Sequence, residues 1–177
     1  WRSPSKPRRW PQPPPPRPDD APDRVAGEVA TLVERGWQRL TTSVLDCAKP
    51  VVAVVDGVAA GGGAQLALAC DLVLASVDAS FVQVFVDRGI VPDAGAAHVV
   101  TRLVGPQRAK ELFFLGDRVD ATTAHALGLV NRVVPAEDLD GLVDDWVGRL
   151  ATGPTRAIAV TKGLVNRAFE SDRATAF

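Results

Sequence analysis

The sequence has few of the residues that bind metal ions. Only two histidines, His98 and His125, and two cysteines, Cys47 and Cys70, occur among its 177 residues. Neither a Cys-x-x-Cys nor a His-x-x-x-His spacing is present, and zinc sites are usually built from such pairs. We therefore expect no metal centre. We interpret the cysteines as free thiols, which is typical of the reducing cytoplasm.

The sequence also lacks a strong excess of charge and any long apolar run. Its 20 basic and 21 acidic residues give a formal net charge of −1, so the balance does not indicate nucleic acid or a membrane surface as a partner. A membrane-spanning helix needs about 20 consecutive apolar residues, and no run approaches that length. No signal-peptide pattern is visible either. We expect a soluble, cytoplasmic protein.

The first part of the chain has a composition of its own. Nine prolines and five basic residues fall within residues 1–23, and proline at this density is incompatible with helix or central strand. We therefore predict a disordered, Pro/Arg-rich tail over 1–23 and a folded domain over 24–177. An alternative is that Arg8, Pro11 and Pro14 form an Arg-x-x-Pro-x-x-Pro ligand for an aromatic groove.

The rest of the chain alternates between helical and strand patterns. Apolar residues at steps of three and four predict a helix over 24–46, capped by Asp23. Further predicted elements are strands over 51–55, 72–75 and 129–134 and helices over 65–70, 95–104, 106–115, 139–150 and 155–169, with a short helix after its cap Asp120. This alternation predicts an α/β fold with parallel strand pairing.

The most informative segment is the strand, glycine turn and helix between Val51 and Cys70. Val51–Val55 is a continuous apolar run, which predicts a strand buried on both faces. Gly61, Gly62 and Gly63 then allow a sharp turn into the next helix. Free N–H groups at the start of that helix favour negative charge, either a phosphate or a developing enolate oxygen. No Gly-x-x-x-x-Gly-Lys-Ser/Thr or Gly-x-Gly-x-x-Gly motif supports the phosphate alternative.

Several blocks in a fixed order resemble the enoyl-CoA hydratase/isomerase (crotonase) superfamily over about residues 49–169. They are Pro-Val-Val-Ala-Val-Val-Asp-Gly-Val-Ala-Ala-Gly-Gly-Gly, Ala69-Cys-Asp71, Gly89-Ile-Val-Pro-Asp-Ala-Gly95, Arg102-Leu-Val-Gly105, Ala109-Lys-Glu-Leu112, Leu115-Gly-Asp-Arg118 and Ala126-Leu-Gly-Leu-Val-Asn131. The resemblance implies a crotonase-like spiral of ββα units. Family members usually run well beyond this length, and the chain begins with Trp1 and contains no methionine, so we expect a spiral that is incomplete at both ends.

The resemblance also implies a substrate site. The family binds acyl-CoA thioesters and stabilises the enolate oxygen with two backbone N–H groups, one of which matches Gly62. Close helix–strand packing is the alternative role for the three glycines. The other donor normally comes from an earlier Ala-Phe-x-Ala-Gly-x-Asp segment, which is absent before Lys49. The resemblance assigns substrate-binding positions to Ala60, Gly61, Gly63, Gln65 and Phe85.

The acid and base positions depart from the hydratase pattern. Hydratases of the family carry glutamates where this sequence has Gln65 and Phe85, and neither side chain transfers a proton at neutral pH. Asp93 matches a position used by relatives that resemble ring-epoxide and enoyl-CoA isomerases, so it is the candidate catalytic base. The alternative is that Asp93 only caps the following helix.

The other polar residues of this region are interpreted as structural. We expect Gln83 to bond backbone at a strand end, Asp71 to end its helix or pair with neighbouring backbone, and the two histidines to pack within helices. Arg118 and Lys162 are candidates for coenzyme A phosphates, with solvated surface charge as the favoured alternative.

The sequence leaves two functions open. The first is an enzyme that acts on acyl-CoA through an enolate, as an isomerase rather than a hydratase, with coenzyme A as part of the substrate and no separate cofactor. The second is a catalytically inactive, truncated paralogue that binds acyl-CoA or a related subunit. The resemblance further implies a homo-oligomer, a trimer or hexamer.

Overall fold

The computed structural model describes residues 30–31 and 33–176, and of residue 176 only the backbone. The predicted tail over 1–23 and the predicted helix cap Asp23 lie outside the described residues. The predicted helix over 24–46 is confirmed in its described part. There, a π-helical stretch, Val33–Gln38, runs directly into α1 (Arg39–Leu45).

Six strands occur in the described part of the chain. In order they are β1 (Val52–Val55), β2 (Val58–Ala60), β3 (Leu72–Ser76), β4 (Ser80–Val82), β5 (Arg118–Asp120) and β6 (Arg132–Val134). They form two three-stranded sheets, ordered β1–β3–β6 and β2–β4–β5. All pairs are parallel except β4–β5, which is antiparallel, so the prediction of parallel pairing is wrong for that pair. The three strands of the second sheet gave no strand signal, because each is three residues long and too short to show a strand pattern.

The helices lie between and beside these strands. After α1 they are α2 (Gly62–Ala69), α3 (Ala96–Leu115), α4 (Ala121–Ala126), α5 (Ala136–Thr152), α6 (Thr155–Arg167) and α7 (Arg173–Ala176). The two helices predicted over 95–104 and 106–115 form the two halves of α3. Gly105 divides it with non-helical dihedrals (φ 76°, ψ 167°), and Pro106 begins the second half. Asp120 caps α4 as predicted, since its Oδ1 accepts the Thr123 N–H at 2.7 Å.

Helix α2 forms the centre of the fold because most of its side chains are small. Ala64, Leu68 and Ala69 are almost completely buried, and α2 contacts both sheets and α3. Small side chains let the helix backbone approach the strands closely. The core continues into strands β3 and β4, where Leu74 and Phe81 are among the largest fully buried side chains.

Strand β1 is less buried than its sequence predicts. The run Val51–Val55 indicated burial on both faces, but β1 is an edge strand of its sheet and the Val54 side chain is 47% exposed. Val55 on the opposite face is buried. A continuous apolar run therefore overstated burial here, because no described strand lies beyond β1 to continue the sheet.

A largely buried ion pair connects α6 to the start of β1. Lys162 Nζ lies 2.8 Å from Asp71 Oδ2 and 2.9 Å from the Val44 carbonyl oxygen, and only 7% of the lysine side chain is exposed. The same Asp71 oxygen accepts the Val51 N–H at 2.7 Å. The solvated role for Lys162 is therefore wrong, whereas the pairing of Asp71 with neighbouring backbone is confirmed.

Arg118 and the two histidines lie at the surface. Arg118 is exposed, and its Nε donates to Ser80 Oγ at 2.8 Å. The two histidines are also exposed, so the prediction that they pack is wrong. His98 Nδ1 lies 2.8 Å from Arg102, and His125 Nδ1 lies 2.8 Å from the Val130 carbonyl oxygen. Among the helices of the described residues, none has the length and apolar character that crossing a bilayer requires.

Candidate active site

The glycine turn places free N–H groups at the start of α2. Gly61 has a positive φ (φ 51°, ψ −125°); its N–H donates to the Val82 carbonyl at 3.1 Å, and its carbonyl accepts the Gln65 N–H at 3.0 Å. The first N–H groups of a helix have no acceptor within the helix, and they lie at its positive end. Gly62 is the first residue of α2, so the helix begins three residues earlier than the sequence predicted. Its N–H can therefore donate a hydrogen bond to an oxygen atom of a ligand.

Gly62 needs to be glycine for space, because a side chain there would meet Trp37. A Cβ built on Gly62 would lie 2.5 Å from the nearest atom of the Trp37 ring and 2.8 Å from two others. The positive φ of the turn belongs to Gly61. Trp37 is 39% exposed, and the atoms in question form the far edge of its indole ring. The ring therefore has to move if Gly62 gains a side chain.

We predict that Gly62→Ala destabilises the fold through Trp37. The new methyl group displaces the indole ring and lowers the free energy of unfolding by about 1 kcal/mol, at the mild end of overpacking. In a Trp37→Ala background the same substitution should cost much less, because the obstructing ring is gone. Urea unfolding of the four proteins measures this coupling. Additive effects of the two substitutions would contradict the steric account.

The predicted substrate-binding residues fall into two groups in the structure. Ala60 and Gly63 line an open groove of about 630 Å³ along β1, β2 and the outer face of α2, which also includes Leu66 and Cys70. Gly61, Gln65 and Phe85 are buried and are not part of this lining.

The Cys70 thiol in this groove is a poor nucleophile. Burial is the main cause that raises the pKa of the thiol, and the neighbouring Asp71 carboxylate raises it further. Lys162 opposes this shift.

The two positions that differ from the hydratase pattern lie in neutral surroundings. Gln65 Nε2 donates to Gln83 Oε1 at 2.6 Å, and both side chains are buried. Gln65 Oε1 has no hydrogen-bond partner among the described residues, so it is free to accept one. The prediction that Gln83 bonds backbone is wrong, since its partner is this second amide.

Phe85 is buried against another aromatic ring. Its ring centroid lies 6.2 Å from that of Phe113 with an interplanar angle of 64°, an edge-to-face contact. Phe85 is 3% exposed. The ring of Phe85 therefore contributes apolar packing where a hydratase would have a carboxylate.

Asp93 belongs to a loop with an unusual backbone. Ala94 has a φ of 51° and is the one non-glycine residue with a positive φ in the described part of the chain; Gly95 follows with a φ of 78°. Gly95, rather than Asp93, is the N-cap of α3, and α3 has no side-chain cap bond, so the capping alternative for Asp93 is wrong. Within the described residues, the Asp93 carboxylate is half-buried and has no hydrogen bond or ion pair.

The helical segment formed by Val33–Gln38 and α1 contacts both the glycine turn and the loop of Asp93. Trp37 lies against Gly62, and one helical turn later Thr41 Oγ1 donates to the Ala94 carbonyl at 3.0 Å. The sequence showed Trp37 only as one member of an apolar stripe, and it gave no sign of Thr41. Their spacing of four residues was the available signal, because it places them on the same helix face.

A profile of the family described as Enoyl-CoA hydratase/isomerase matches residues 21–177. The chain belongs to this family. The predicted superfamily and the crotonase-like α/β fold are thereby confirmed. Within the described residues, no three histidine, cysteine or carboxylate side chains come together to hold a metal ion.

Relatives within the family carry both isomerase and hydratase names. The chain is 37% identical over 147 residues to the 1,2-epoxyphenylacetyl-CoA isomerase of Escherichia coli K12, covering 83% of this chain and 56% of the relative. It is 40% identical over 124 residues to the crotonyl-CoA hydratase of Syntrophomonas wolfei, covering 70% and 48%. The chain therefore spans about half the length of these curated relatives.

Solved structures of the family superpose well. An enoyl-CoA hydratase/isomerase from Cupriavidus metallidurans CH34 matches with a TM-score of 0.82 at 37% identity, covering 90% of this chain and 58% of that one. An enoyl-CoA hydratase from Bacillus anthracis matches with a TM-score of 0.81 at 31% identity, covering 86% and 59%. The enoyl-CoA hydratase/isomerase fold therefore extends over most of this chain.

Proposed function

We propose that this chain isomerises enoyl-CoA thioesters rather than hydrating them, with Asp93 as the proton carrier and Gly62 as an oxyanion donor. The observation that carries the proposal is the contrast between Asp93 and the two hydratase positions. Gln65 is bonded to Gln83 and Phe85 packs on Phe113, so both positions are buried and neutral. The Asp93 carboxylate has no described partner and is available to accept a proton.

The reaction would follow from these two groups. Asp93 takes a proton from C2 of a 3-enoyl-CoA, and the electron pair of that C–H bond forms a dienolate whose charge lies on the thioester oxygen. The Gly62 N–H, at the positive end of α2, stabilises that oxygen. The protonated Asp93 then returns the proton to C4, which gives the 2-enoyl-CoA. Coenzyme A enters as part of the substrate, and no separate cofactor takes part.

The direct test compares the rate of double-bond migration with the rate of water addition. Purified protein incubated with a 3-enoyl-CoA and, separately, with a 2-enoyl-CoA should move the double bond faster than it adds water. Absorbance of the conjugated thioester follows both reactions, and mass spectrometry detects the addition of water. Hydration at an equal or greater rate would contradict the proposal.

A second candidate function is an inactive paralogue that binds acyl-CoA or a related subunit. It is favoured by Trp37, whose ring lies directly against Gly62. Calorimetry with a non-hydrolysable acyl-CoA, beside the isomerase assay, separates the two. Binding without turnover would support the inactive paralogue.

We also propose that the chain forms homo-oligomers, a trimer or hexamer, through α6. One side of this helix faces the body of the fold, where Lys162 and Asn166 bond carbonyl oxygens at the end of α1. The opposite side carries the exposed apolar residues Val160 and Leu164. Exposed apolar surface of this kind is typical of protein interfaces.

The predicted consequence is that Leu164→Lys weakens self-association. A charge on the apolar side of α6 has to be desolvated when two copies meet. Light scattering should show a smaller mass for Leu164→Lys than for the wild type at equal protein concentration. Thr122→Lys, which adds the same charge at an exposed polar position of α4, is the control. A wild-type protein that scatters as a monomer would overturn the proposal.

A further inference from the structure

We infer that Thr41 is a positioning residue for Asp93, an inference that rests on the proposed isomerase function. Thr41 lies on α1, and its hydroxyl holds the backbone of the loop that presents Asp93. The contact is specific to one peptide group: Thr41 Oγ1 donates to the Ala94 carbonyl oxygen at 3.0 Å, across 53 residues of sequence. Both residues are buried, with Thr41 4% and Ala94 1% exposed.

The bonded peptide group lies in an unfavourable conformation. A positive φ is strained for alanine because its Cβ crowds the neighbouring backbone. Ala94 nevertheless has a φ of 51°. Such strain persists only where the surroundings hold it in place. The Thr41 hydrogen bond fixes the carbonyl that follows the strained φ, and it is therefore part of what holds the loop.

Asp93 is directly attached to this strained residue. Its own carbonyl oxygen accepts the Ala96 N–H at 2.8 Å, so the backbone on both sides of Ala94 is bonded. Because Asp93 is bonded directly to Ala94, a relaxation of Ala94 out of its positive φ would shift the Asp93 backbone and with it the direction of the carboxylate. The Thr41 methyl group also lies near Gly95, 3.4 Å from where a Cβ on that residue would be.

The chemistry of Thr41 favours positioning over simple packing. Thr41 is the one buried residue of α1, and a valine of the same shape would fill the space equally well. A buried hydroxyl is retained at a cost unless it forms a hydrogen bond. Here its partner is the loop of the candidate base, so the hydroxyl acts on the orientation of Asp93.

The test compares Thr41→Val, which removes only the hydroxyl, with Thr41→Ser, which keeps it. For Thr41→Val we expect kcat for 3-enoyl-CoA isomerisation to fall by up to about 10²-fold, the scale of a displaced catalytic group, with KM nearly unchanged. Thr41→Ser should keep kcat close to that of the wild type. Thr42→Val, at the exposed neighbouring position, is the matched control and should change neither parameter.

Hydrogen exchange adds a readout that does not depend on turnover. Loss of the Thr41 bond should speed exchange of the Ala96 amide, which bonds the Asp93 carbonyl, in Thr41→Val but not in Thr41→Ser. An active Thr41→Val protein with wild-type kcat and unchanged Ala96 exchange would overturn the inference alone. A wild-type protein without isomerase activity would instead overturn the proposed function, and with it any positioning role for Thr41 in that reaction.

Discussion

Replacement of Asp93 by asparagine is expected to abolish isomerisation and leave acyl-CoA binding intact. The amide has nearly the same shape as the carboxylate but cannot accept a proton, and loss of a general base typically lowers rates by about 10²–10⁴-fold. The fold should tolerate the change, because the carboxylate neither caps α3 nor forms a described hydrogen bond. The measurement is exchange of the substrate α-proton with deuterated water, together with calorimetry on a non-hydrolysable acyl-CoA.

The control for Asp93→Asn is the same substitution at an exposed turn. Asp78→Asn removes one carboxylate from the surface and should leave both exchange and binding unchanged. Asp93→Asn with full exchange activity would remove Asp93 from the mechanism. Loss of binding together with exchange would indicate that Asp93 contacts the substrate without transferring its proton.

Replacement of Lys162 by methionine is expected to destabilise the protein strongly. The substitution leaves Asp71 without its cation, although the carboxylate keeps the Val51 N–H. Breaking a fully buried ion pair from one side typically costs about 3–5 kcal/mol, and we expect the lower end of that range here because 21% of the Asp71 side chain is exposed. A cost of this size is large beside the whole stability of a typical domain. Urea unfolding should therefore show a much lower midpoint.

Two further proteins test the Lys162 account. Lys110→Met removes an exposed lysine from α3 and should change the midpoint little. Addition of Asp71→Asn to Lys162→Met removes the unpaired charge and should recover part of the lost stability. If Lys162→Met unfolds at the same urea concentration as the wild type, the pair contributes nothing to stability.

Local patterns predicted much of the fold. The break at Gly105, the cap by Asp120 and the strands β1 and β3 each follow from residues that are close together in sequence. Strand β5 shows the limit, because Val119 is its one buried residue and three residues are too few to show a period. Its identity as a strand depends on pairing with β4, which is far away in the sequence.

The candidate site was predictable only where it resembles the family. Gly62 and Asp93 could be named in advance, but their surroundings could not. The Thr41–Ala94 bond spans 53 residues and the Gln65–Gln83 bond spans 18, and no local pattern reports such contacts. Lys162 appeared to be a surface charge for the same reason, since its partner Asp71 is 91 residues away.

Helix α1 connects regions of the chain that share no other described role. At its C-terminal end, the carbonyl oxygens of Val44 and Leu45 are held by Lys162 and Asn166 of α6. One turn before that end, Thr41 holds the loop of the candidate base. Helix α1 thus joins α6 at one end to the loop of the candidate base one turn earlier. Deleting α6 would remove the contacts of Lys162 and Asn166 with α1. Helix α1 and the Asp93 loop could then shift, although α6 contributes no side chain to the site.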